Sequence, residues 1–284
     1  MVFIALICCV CALLGAFVGS QLAARGIRTD STLEKCQGGI LLGLIAIAGI
    51  IFSLVLIDRL NLIHWLPLII PAFIQLYIAE YATDLILGSG CFILGLLVSV
   101  ELLGKRSPKG MRQLFVAVAA IILPLTILLH YSLPVTGMIG EPRVIEGVVL
   151  QTTPYTCAPA SIATLARFVG KHPHLSERDV ATLTKTDRFG TSTLAEIRAM
   201  RKLGLEPKYK YGLKIEELAK TGQPALLHVR EKFRGKFITH AVALLSVDTE
   251  KQFLTIGNPL SGIQVKTFKQ MEGYWLGEAV FVNR

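Results

Sequence analysis

The sequence predicts two parts of different class: a multi-span α-helical membrane domain, then an α+β domain with helices packed on an antiparallel sheet. The 284 residues are 52% hydrophobic with a mean hydropathy of +0.57, which is too apolar for a soluble protein. Only eight of the 29 Lys and Arg residues lie in the first 133 positions. After residue 133, helix patterns precede strand patterns, which is the order of an α+β domain. We therefore expect a membrane domain at 1–133, a linker at 134–147 and a folded domain at 148–284.

Apolar stretches in the first part are long enough to cross about 30 Å of hydrocarbon. Four of them are predicted as transmembrane helices, at 3–23, 39–58, 85–103 and 114–132. A fifth candidate, residues 60–79, contains His64 and two prolines and fits either a span or a re-entrant hairpin. The first stretch lacks a basic region before its apolar core, which favours a retained anchor over a cleaved signal peptide. The expectation is four or five spans in a lipid bilayer.

Charged residues in the loops predict the orientation of these spans. The loop between the last two predicted helices carries four cationic side chains, Lys105, Arg106, Lys109 and Arg112. Positively charged loops stay on the cytoplasmic side, so the final span exports the C-terminus. We expect a multi-pass protein of the cell membrane whose C-terminal domain is extracytoplasmic.

In the C-terminal part, sequence patterns typical of helices come first and patterns typical of strands follow. Helices are predicted from caps and stop glycines at 157–169, 176–184, 194–203 and 215–221. Ser176 followed by Asp179 is the pattern of a capping box at the second of these. Runs rich in β-branched and apolar residues predict strands at 225–229, 240–247, 253–257 and 279–282.

Cys157 is the candidate nucleophile. It is the one cysteine of the C-terminal part, because the other five lie earlier, at Cys8, Cys9, Cys11, Cys36 and Cys91. Its position at the start of an apolar helix places the thiol near unpaired N–H groups and the helix dipole, which favour a thiolate. Gln151, six residues upstream, is placed to offer its side-chain amide beside the Cys157 N–H as an oxyanion donor.

His240 is the candidate base, and Asn258 is the residue expected to orient it. His240 stands at the mouth of an apolar strand, and Asn258 ends the next one. A tight hairpin with Thr249 opposite Glu250 places Asn258 opposite Ala241, within reach of the imidazole if a bulge or strand end turns both side chains toward the cysteine. Nucleophile, base and orienter then form a Cys-His-Asn site.

The other histidines give weaker candidates. His228 is the rival base, but the sequence shows no polar residue on a paired strand to orient it. His172 and His174 lack the further Cys or carboxylate ligands that a metal site needs. The net charge of +9 comes without interleaved aromatic and basic residues. No metal, organic cofactor or nucleic-acid partner is therefore predicted.

A set of motifs across about residues 145–282 resembles a known family. The motifs are Gln151 six positions before Cys157, small residues after the cysteine, Gly190-Thr-Ser-Thr193, His240 before an apolar strand, Asn258-Pro-Leu-Ser-Gly262 and Trp275-Leu-Gly277. Together they resemble the bacteriocin-processing peptidases that cut double-glycine leader peptides in bacterial export. The resemblance implies a papain-like fold, with Cys157 attacking a peptide carbonyl, His240 as base, Asn258 as third polar residue and Gln151 at the oxyanion hole.

Three features depart from that family. Aspartate usually precedes the proline where this chain has Asn258, so imidazolium stabilisation is expected to be weaker. Glycine commonly follows the cysteine where this chain has Ala158, a change that a helix tolerates. Transporter-fused members carry an ATPase, but no GxxxxGK[ST] motif occurs in these 284 residues, so this chain is not itself an ATP-driven exporter.

The sequence as a whole predicts a membrane-anchored cysteine peptidase without a cofactor. Its expected partners are a peptide or protein substrate, the lipid bilayer and a separate transporter. Two alternatives stay open. One is acyl transfer or amide hydrolysis by the same Cys-His pair, because surface loops choose the leaving group and acceptor. The other is a non-catalytic module that binds leader peptides for a transporter.

Overall fold

The computed structural model describes residues 2–26, 72–103 and 108–283. They divide into two compact units, Met1–Leu133 and Pro134–Arg284. The predicted span at 39–58, most of the candidate span at 60–79, and the cationic residues Lys105 and Arg106 lie outside the described residues.

The first unit consists, in its described part, of helices α1 (Val2–Ala24), α2 (Ala72–Leu103) and α3 (Pro108–Tyr131). By length and composition alone, the stretches Ala5–Ala24 and Glu80–Leu103 are long and apolar enough to cross a membrane. The sequence analysis separated two candidate spans at residues 80–84. In the structure α2 runs through this segment without a break, because it contains neither proline nor glycine to end a helix.

Glycines bring α1 and α2 into backbone contact. A Cβ added to Gly15 would lie 2.0 Å from the Phe92 carbonyl oxygen, and one added to Gly95 would lie 2.1 Å from that of Ala12. Small residues at such crossings let apolar helices approach closely enough for van der Waals packing, the way that helices associate in lipid. The two helices therefore pack with their backbones in close contact at these glycines.

The second unit opens within the segment predicted as a linker. A 3₁₀ turn, Thr136–Met138, is followed by a hairpin of β1 (Arg143–Ile145) and β2 (Val148–Leu150). Its turn residues, Glu146 and Gly147, have φ of 49° and 82°, the left-handed pair of a type I′ hairpin. This hairpin places buried β2 just before the candidate cysteine.

Four helices follow close to their predicted positions: α4 (Cys157–Phe168), α5 (Glu177–Thr184), α6 (Thr193–Lys202) and, after a short strand, α7 (Ile215–Thr221). The Ser176–Asp179 capping box is confirmed, with each side chain bonded to the other residue's backbone N–H. Gly222 ends α7 in a left-handed conformation, with φ of 58°. Caps are local interactions, which is why the sequence locates these ends well.

A six-stranded antiparallel sheet completes the unit. Its strands are β3 (Lys208–Lys210), β4 (Ala225–Phe233), β5 (Lys236–Asp248), β6 (Phe253–Asn258), β7 (Gly262–Thr267) and β8 (Trp275–Phe281), and helix α8 (Phe268–Glu272) precedes β8. The spatial order is β3-β8-β4-β5-β6-β7. The predicted α+β order is therefore confirmed. The sequence analysis missed β3, which has three residues, and β7, in which one residue is buried and which lacks a clear apolar face.

The predicted register of the β5–β6 hairpin is wrong. Asp248 pairs with Phe253, so the loop has four residues instead of a tight turn at Thr249 and Glu250. A bulge between Leu244 and Ser246 then shifts the register, and Ala243 pairs with Gly257. Continued by one residue, this register places Asn258 opposite Val242 instead of Ala241. Asn258 and His240 therefore share one face of the sheet as diagonal neighbours.

Helices cover both faces of the sheet and thereby hold the site. On one face, Ile215 and Leu218 of α7 and Met271 of α8 pack in a buried cluster with Val242, Leu244 and Ile256 of the sheet. On the other face α4 packs so closely that a Cβ on Gly257 would lie 3.2 Å from a methyl group of Thr164. The fold therefore fixes the start of α4 against the central strands.

Candidate functional site

Cys157 is the first residue of α4, directly after the N-cap Thr156, and its side chain is half-buried. Burial raises the pKa of the Cys157 thiol, while N–H groups of Ala241 and Ala158 that donate to the sulfur lower it in part. The net shift of the pKa is upward, although the start of a helix favours a thiolate. A protonated thiol requires a base to become a nucleophile.

The start of α4 docks on β5 at the residue that follows His240. The Ser161 hydroxyl of α4 donates to the Ala241 carbonyl at 2.9 Å. The β5–β6 pairing ends at Ala243, so this part of β5 has backbone groups available to the helix. The helix that begins at Cys157 is thereby held at the residue next to the candidate base.

Gln151 is tied to the other half of the site through its backbone. Its N–H donates to the carbonyl of Pro259, the residue after Asn258, at 3.0 Å. The side-chain Nε2 donates to the Thr153 carbonyl at 2.7 Å, and Oε1 is buried without a hydrogen-bond partner among the described residues. Because an amide nitrogen carries two hydrogens, one N–H of Gln151 is left for a further acceptor.

Glu177 anchors the loop that leads to the cysteine, a role that the sequence analysis did not assign. Its side chain is 1% exposed and accepts three hydrogen bonds. Thr152 donates its backbone N–H at 2.9 Å and its hydroxyl at 3.0 Å, and Thr156 donates its hydroxyl. The available signal was its position in the first turn of a capped helix, where a carboxylate is favoured.

We expect Glu177→Gln to destabilise the C-terminal unit by about 1–3 kcal/mol, because its NH₂ group would face donors and leave at least one of them unsatisfied. The measurement is urea unfolding of the full chain in detergent, followed by fluorescence of the buried Trp275 in a Trp65→Phe background. Glu250→Gln, in the exposed β5–β6 turn, is the matched control and should leave the midpoint unchanged. Equal midpoints for both variants would contradict the anchoring role.

The structure brings His240 and Asn258 together. The His240 Nε2 lies 3.0 Å from the Asn258 Oδ1, and both side chains are 2% exposed. Burial lowers the pKa of His240, and the Asn258 hydrogen bond and the charge of Glu231 oppose this shift. The imidazole is therefore neutral near pH 7, as a general base must be.

The hydrogen bonds of Asn258 determine which nitrogen of His240 carries the proton. The Leu260 N–H donates to Oδ1 at 3.0 Å, and Nδ2 donates to the Glu231 carboxylate at 2.9 Å. An N–H can only donate and a carboxylate can only accept, so the amide has one orientation. Its Oδ1 then requires a proton on His240 Nε2, which leaves the Nδ1 lone pair for another proton.

By strand alternation the His240 side chain lies on the sheet face of Val242, whereas α4 packs on the face of Gly257, and backbone contacts connect the two sides. Within the part of the chain that the structure describes, no hydrogen bond joins the Cys157 thiol to the His240 imidazole. Helix α4 instead contacts Ala241, next to His240, and Gln151 contacts Pro259, next to Asn258. Catalytic hydrogen bonds often tighten only when substrate is bound.

His228 lies in a different environment from the one predicted. Its Nε2 is 3.1 Å from Glu196, and its Nδ1 is 2.9 Å from Glu278 on the paired strand β8. The prediction that no polar residue orients it from a paired strand is therefore wrong. Burial alone lowers the pKa of His228, but the two carboxylates raise it well above 6.5. With both nitrogens protonated, it has no lone pair with which to act as a base.

Two further histidines of the C-terminal unit, His172 and His174, lie on the loop between α4 and α5. His172 Nε2 lies 3.0 Å from the Leu203 carbonyl oxygen, and His174 is exposed. Across residues 2–26, 72–103 and 108–283, no group of three or more His, Cys, Asp or Glu side chains is placed to hold a metal ion.

Residues 146–284 match the sequence model of the Peptidase C39 family. The chain is also similar to solved structures. The peptidase domain of Streptococcus ComA, a bi-functional ABC transporter involved in a quorum sensing pathway, is 22% identical, with 48% of this chain and 96% of that chain covered and a TM-score of 0.41. For a double glycine motif protease from an AMS/PCAT transporter, in complex with the leader peptide, the identity is 22%, the coverage 51% and 94%, and the TM-score 0.41. Comparison with curated protein sequences gives no match.

Proposed function

Because residues 146–284 belong to the peptidase C39 family of cysteine peptidases, we propose that this chain hydrolyses peptide bonds with Cys157 as nucleophile, His240 as base, Asn258 as orienting residue and Gln151 as oxyanion donor. The single observation that carries these assignments is the 3.0 Å contact between His240 and Asn258. His240 is next to Ala241, whose carbonyl accepts a hydrogen bond from Ser161 in the helix that begins at Cys157.

Each residue has a defined step in this mechanism. His240 Nδ1 takes the proton of the Cys157 thiol, and the thiolate attacks the peptide carbonyl carbon. The Cys157 N–H and the free N–H of Gln151 stabilise the negative oxygen of the tetrahedral intermediate. Imidazolium His240 then protonates the leaving amine, and water activated by neutral His240 hydrolyses the thioester and regenerates the thiol.

Asn258 keeps the imidazole in the required tautomer. Its Oδ1 accepts from Nε2–H of His240, so the base presents Nδ1 to the thiol in each cycle. Glu177 contributes indirectly, because it fixes the loop between Gln151 and Cys157.

The proposed substrates are peptides with a double-glycine leader. The motifs around Cys157, His240 and Asn258 resemble peptidases that cut such leaders, and the family match covers the same segment. Two glycines lack side chains, so a site that admits only small residues would accept them and exclude larger ones.

We further propose that the chain is a multi-pass membrane protein with an extracytoplasmic peptidase domain that works beside a separate transporter. Two described stretches have the length and composition of membrane spans, and α1 and α2 approach through glycines. The cationic loop before α3 supports the orientation. A reporter fused after Arg284 would test it, and a cytoplasmic reporter signal would contradict the proposed side.

Cleavage of a leader peptide by the purified full-length chain in detergent tests the proposed activity. The substrate is a leader-type peptide ending in Gly-Gly, followed by a short cargo, and the control peptide carries Val-Val at those positions. We expect cleavage after the second glycine, none of the control peptide, and loss of activity in Cys157→Ala. Binding of the leader without cleavage would favour the non-catalytic module instead, and cleavage that persists in Cys157→Ala would exclude the proposed nucleophile.

A further inference from the structure

The carboxylate of Glu231 is hydrogen-bonded to Asn258, the residue proposed to orient His240. Asn258 Nδ2 donates to Glu231 Oε2 at 2.9 Å, and the Tyr274 hydroxyl donates to the same oxygen at 2.7 Å. On the other side of the amide, Oδ1 contacts His240 at 3.0 Å. Glu231, Asn258 and His240 thus form one continuous series of hydrogen bonds that ends at the base.

We propose that Glu231 is a positioning residue for the peptidase reaction, which supplies negative charge to His240 through the amide of Asn258. The inference rests on the proposed function of Cys157 and His240. An amide is neutral, so Asn258 alone orients the imidazole without compensating the positive charge that it gains during catalysis. Glu231 provides that charge one hydrogen bond further away and polarises the amide between them.

The surroundings of Glu231 keep its charge available. The Lys232 N–H donates to Oε1 at 3.2 Å, and Asn258 and Tyr274 donate to Oε2. All of these partners are neutral donors, and the carboxylate accepts a hydrogen bond from each of them. Among the described residues no cation forms a salt bridge with Glu231. The Lys266 amino group lies 4.3 Å from the centre of the Tyr274 ring.

The position of Glu231 follows from the sheet register. Glu231 and Val229 are two residues apart on β4 and therefore point to the same face. Val229 pairs with His240, and Glu231 pairs with Ile238. The β5–β6 register puts Asn258 on this face as well. The neighbouring strands β4, β5 and β6 thus each contribute one polar residue to this series of hydrogen bonds. The sheet register therefore brings the three residues together.

The proposal predicts that activity lost in Glu231→Gln is recovered when a carboxylate is placed at position 258 instead. Glu231→Gln should lower kcat/KM about tenfold, because a charge-assisted hydrogen bond becomes a neutral one, with little change in KM. Asn258→Asp alone should also lower activity, since its carboxylate would face Glu231 within 3 Å and the pair would share a proton. The double variant Asn258→Asp/Glu231→Gln should recover activity to within about threefold of the native chain, because one carboxylate then contacts His240 directly.

The experiment measures peptide cleavage across pH and the titration of His240 by NMR in these three variants and in Tyr274→Phe, which removes one donor but keeps the charge. Because the charge of Glu231 raises the pKa of His240, Glu231→Gln should lower it and move the acid limb of the rate profile to lower pH. Tyr274→Phe should change this limb little.

Unchanged kcat and an unchanged His240 titration in Glu231→Gln would overturn the proposal, as would a double variant no more active than Glu231→Gln. The thermal midpoint of each variant identifies one that fails to fold, and the double variant still decides the question. The His240 titration needs no substrate. It therefore separates failure of this proposal from failure of the proposed peptidase activity, which would appear as cleavage that does not depend on Cys157.

Discussion

His240→Ala is expected to lower kcat/KM for leader-peptide cleavage by about 10²- to 10⁴-fold, the usual contribution of a general acid–base. The reason lies in the thiol. Burial raises the pKa of Cys157, so almost none of it is ionised near neutral pH without a partner that takes its proton. Initial rates of the full-length chain in detergent, at several concentrations of the Gly-Gly peptide, give the ratio directly.

His174→Ala is the matched control, because His174 is exposed on a loop of the same unit, and we expect native activity for it. His228→Gln tests the rival base. If His228→Gln abolished cleavage in a folded protein while His240→Ala left it nearly intact, the assignment of the base would be wrong.

His228→Leu is expected to have the largest effect on stability, a loss of about 3–5 kcal/mol, because it leaves the carboxylates of Glu196 and Glu278 buried without their cation. Glu196 is fully buried, and Glu278 is 9% exposed. The Tyr209 hydroxyl, which donates to Glu278 at 2.8 Å, cannot compensate the charge. Urea unfolding followed by Trp275 fluorescence measures the loss, and His174→Leu is the control for a surface histidine.

The same cluster predicts the pH dependence of stability. Because the pKa of His228 in the folded protein lies well above 6.5, the folded state holds its proton more tightly than the unfolded state. This contribution is complete below about pH 6.5 and is lost as pH rises through the folded-state pKa. The fall should be absent in His228→Leu and present in His174→Leu. A native free energy of unfolding that rises above pH 6.5 would contradict the buried imidazolium.

Local signals in the sequence were sufficient for much of the C-terminal unit. The Ser176–Asp179 box and the glycine after α7 act within one helical turn, so their positions can be predicted without the fold. His240 and Asn258 could be paired because a hairpin joins their strands. The bulge between Leu244 and Ser246 could not be predicted, because no local sequence pattern marks it.

The acidic residues of the site show where sequence reasoning ends. Glu177 is 25 residues from Thr152, Glu231 is 27 residues from Asn258, and Glu196 is 32 residues from His228. Each acts through a tertiary contact that no local pattern encodes. Their sequence neighbours are ordinary helix or strand residues, so only the assembled sheet and helices reveal that the carboxylates support the site.

The rate at which an electrophilic thiol probe labels Cys157 across pH, in the native full-length chain and in His240→Ala, tests the central claim most directly. Mass spectrometry of the Cys157 peptide separates its labelling from that of the other cysteines. An activated Cys-His pair predicts fast labelling near neutral pH in the native chain. In His240→Ala it predicts slow labelling that increases only at alkaline pH, since burial raises the pKa of the thiol. Identical rates and pH dependence in both proteins would contradict the pairing of Cys157 with His240.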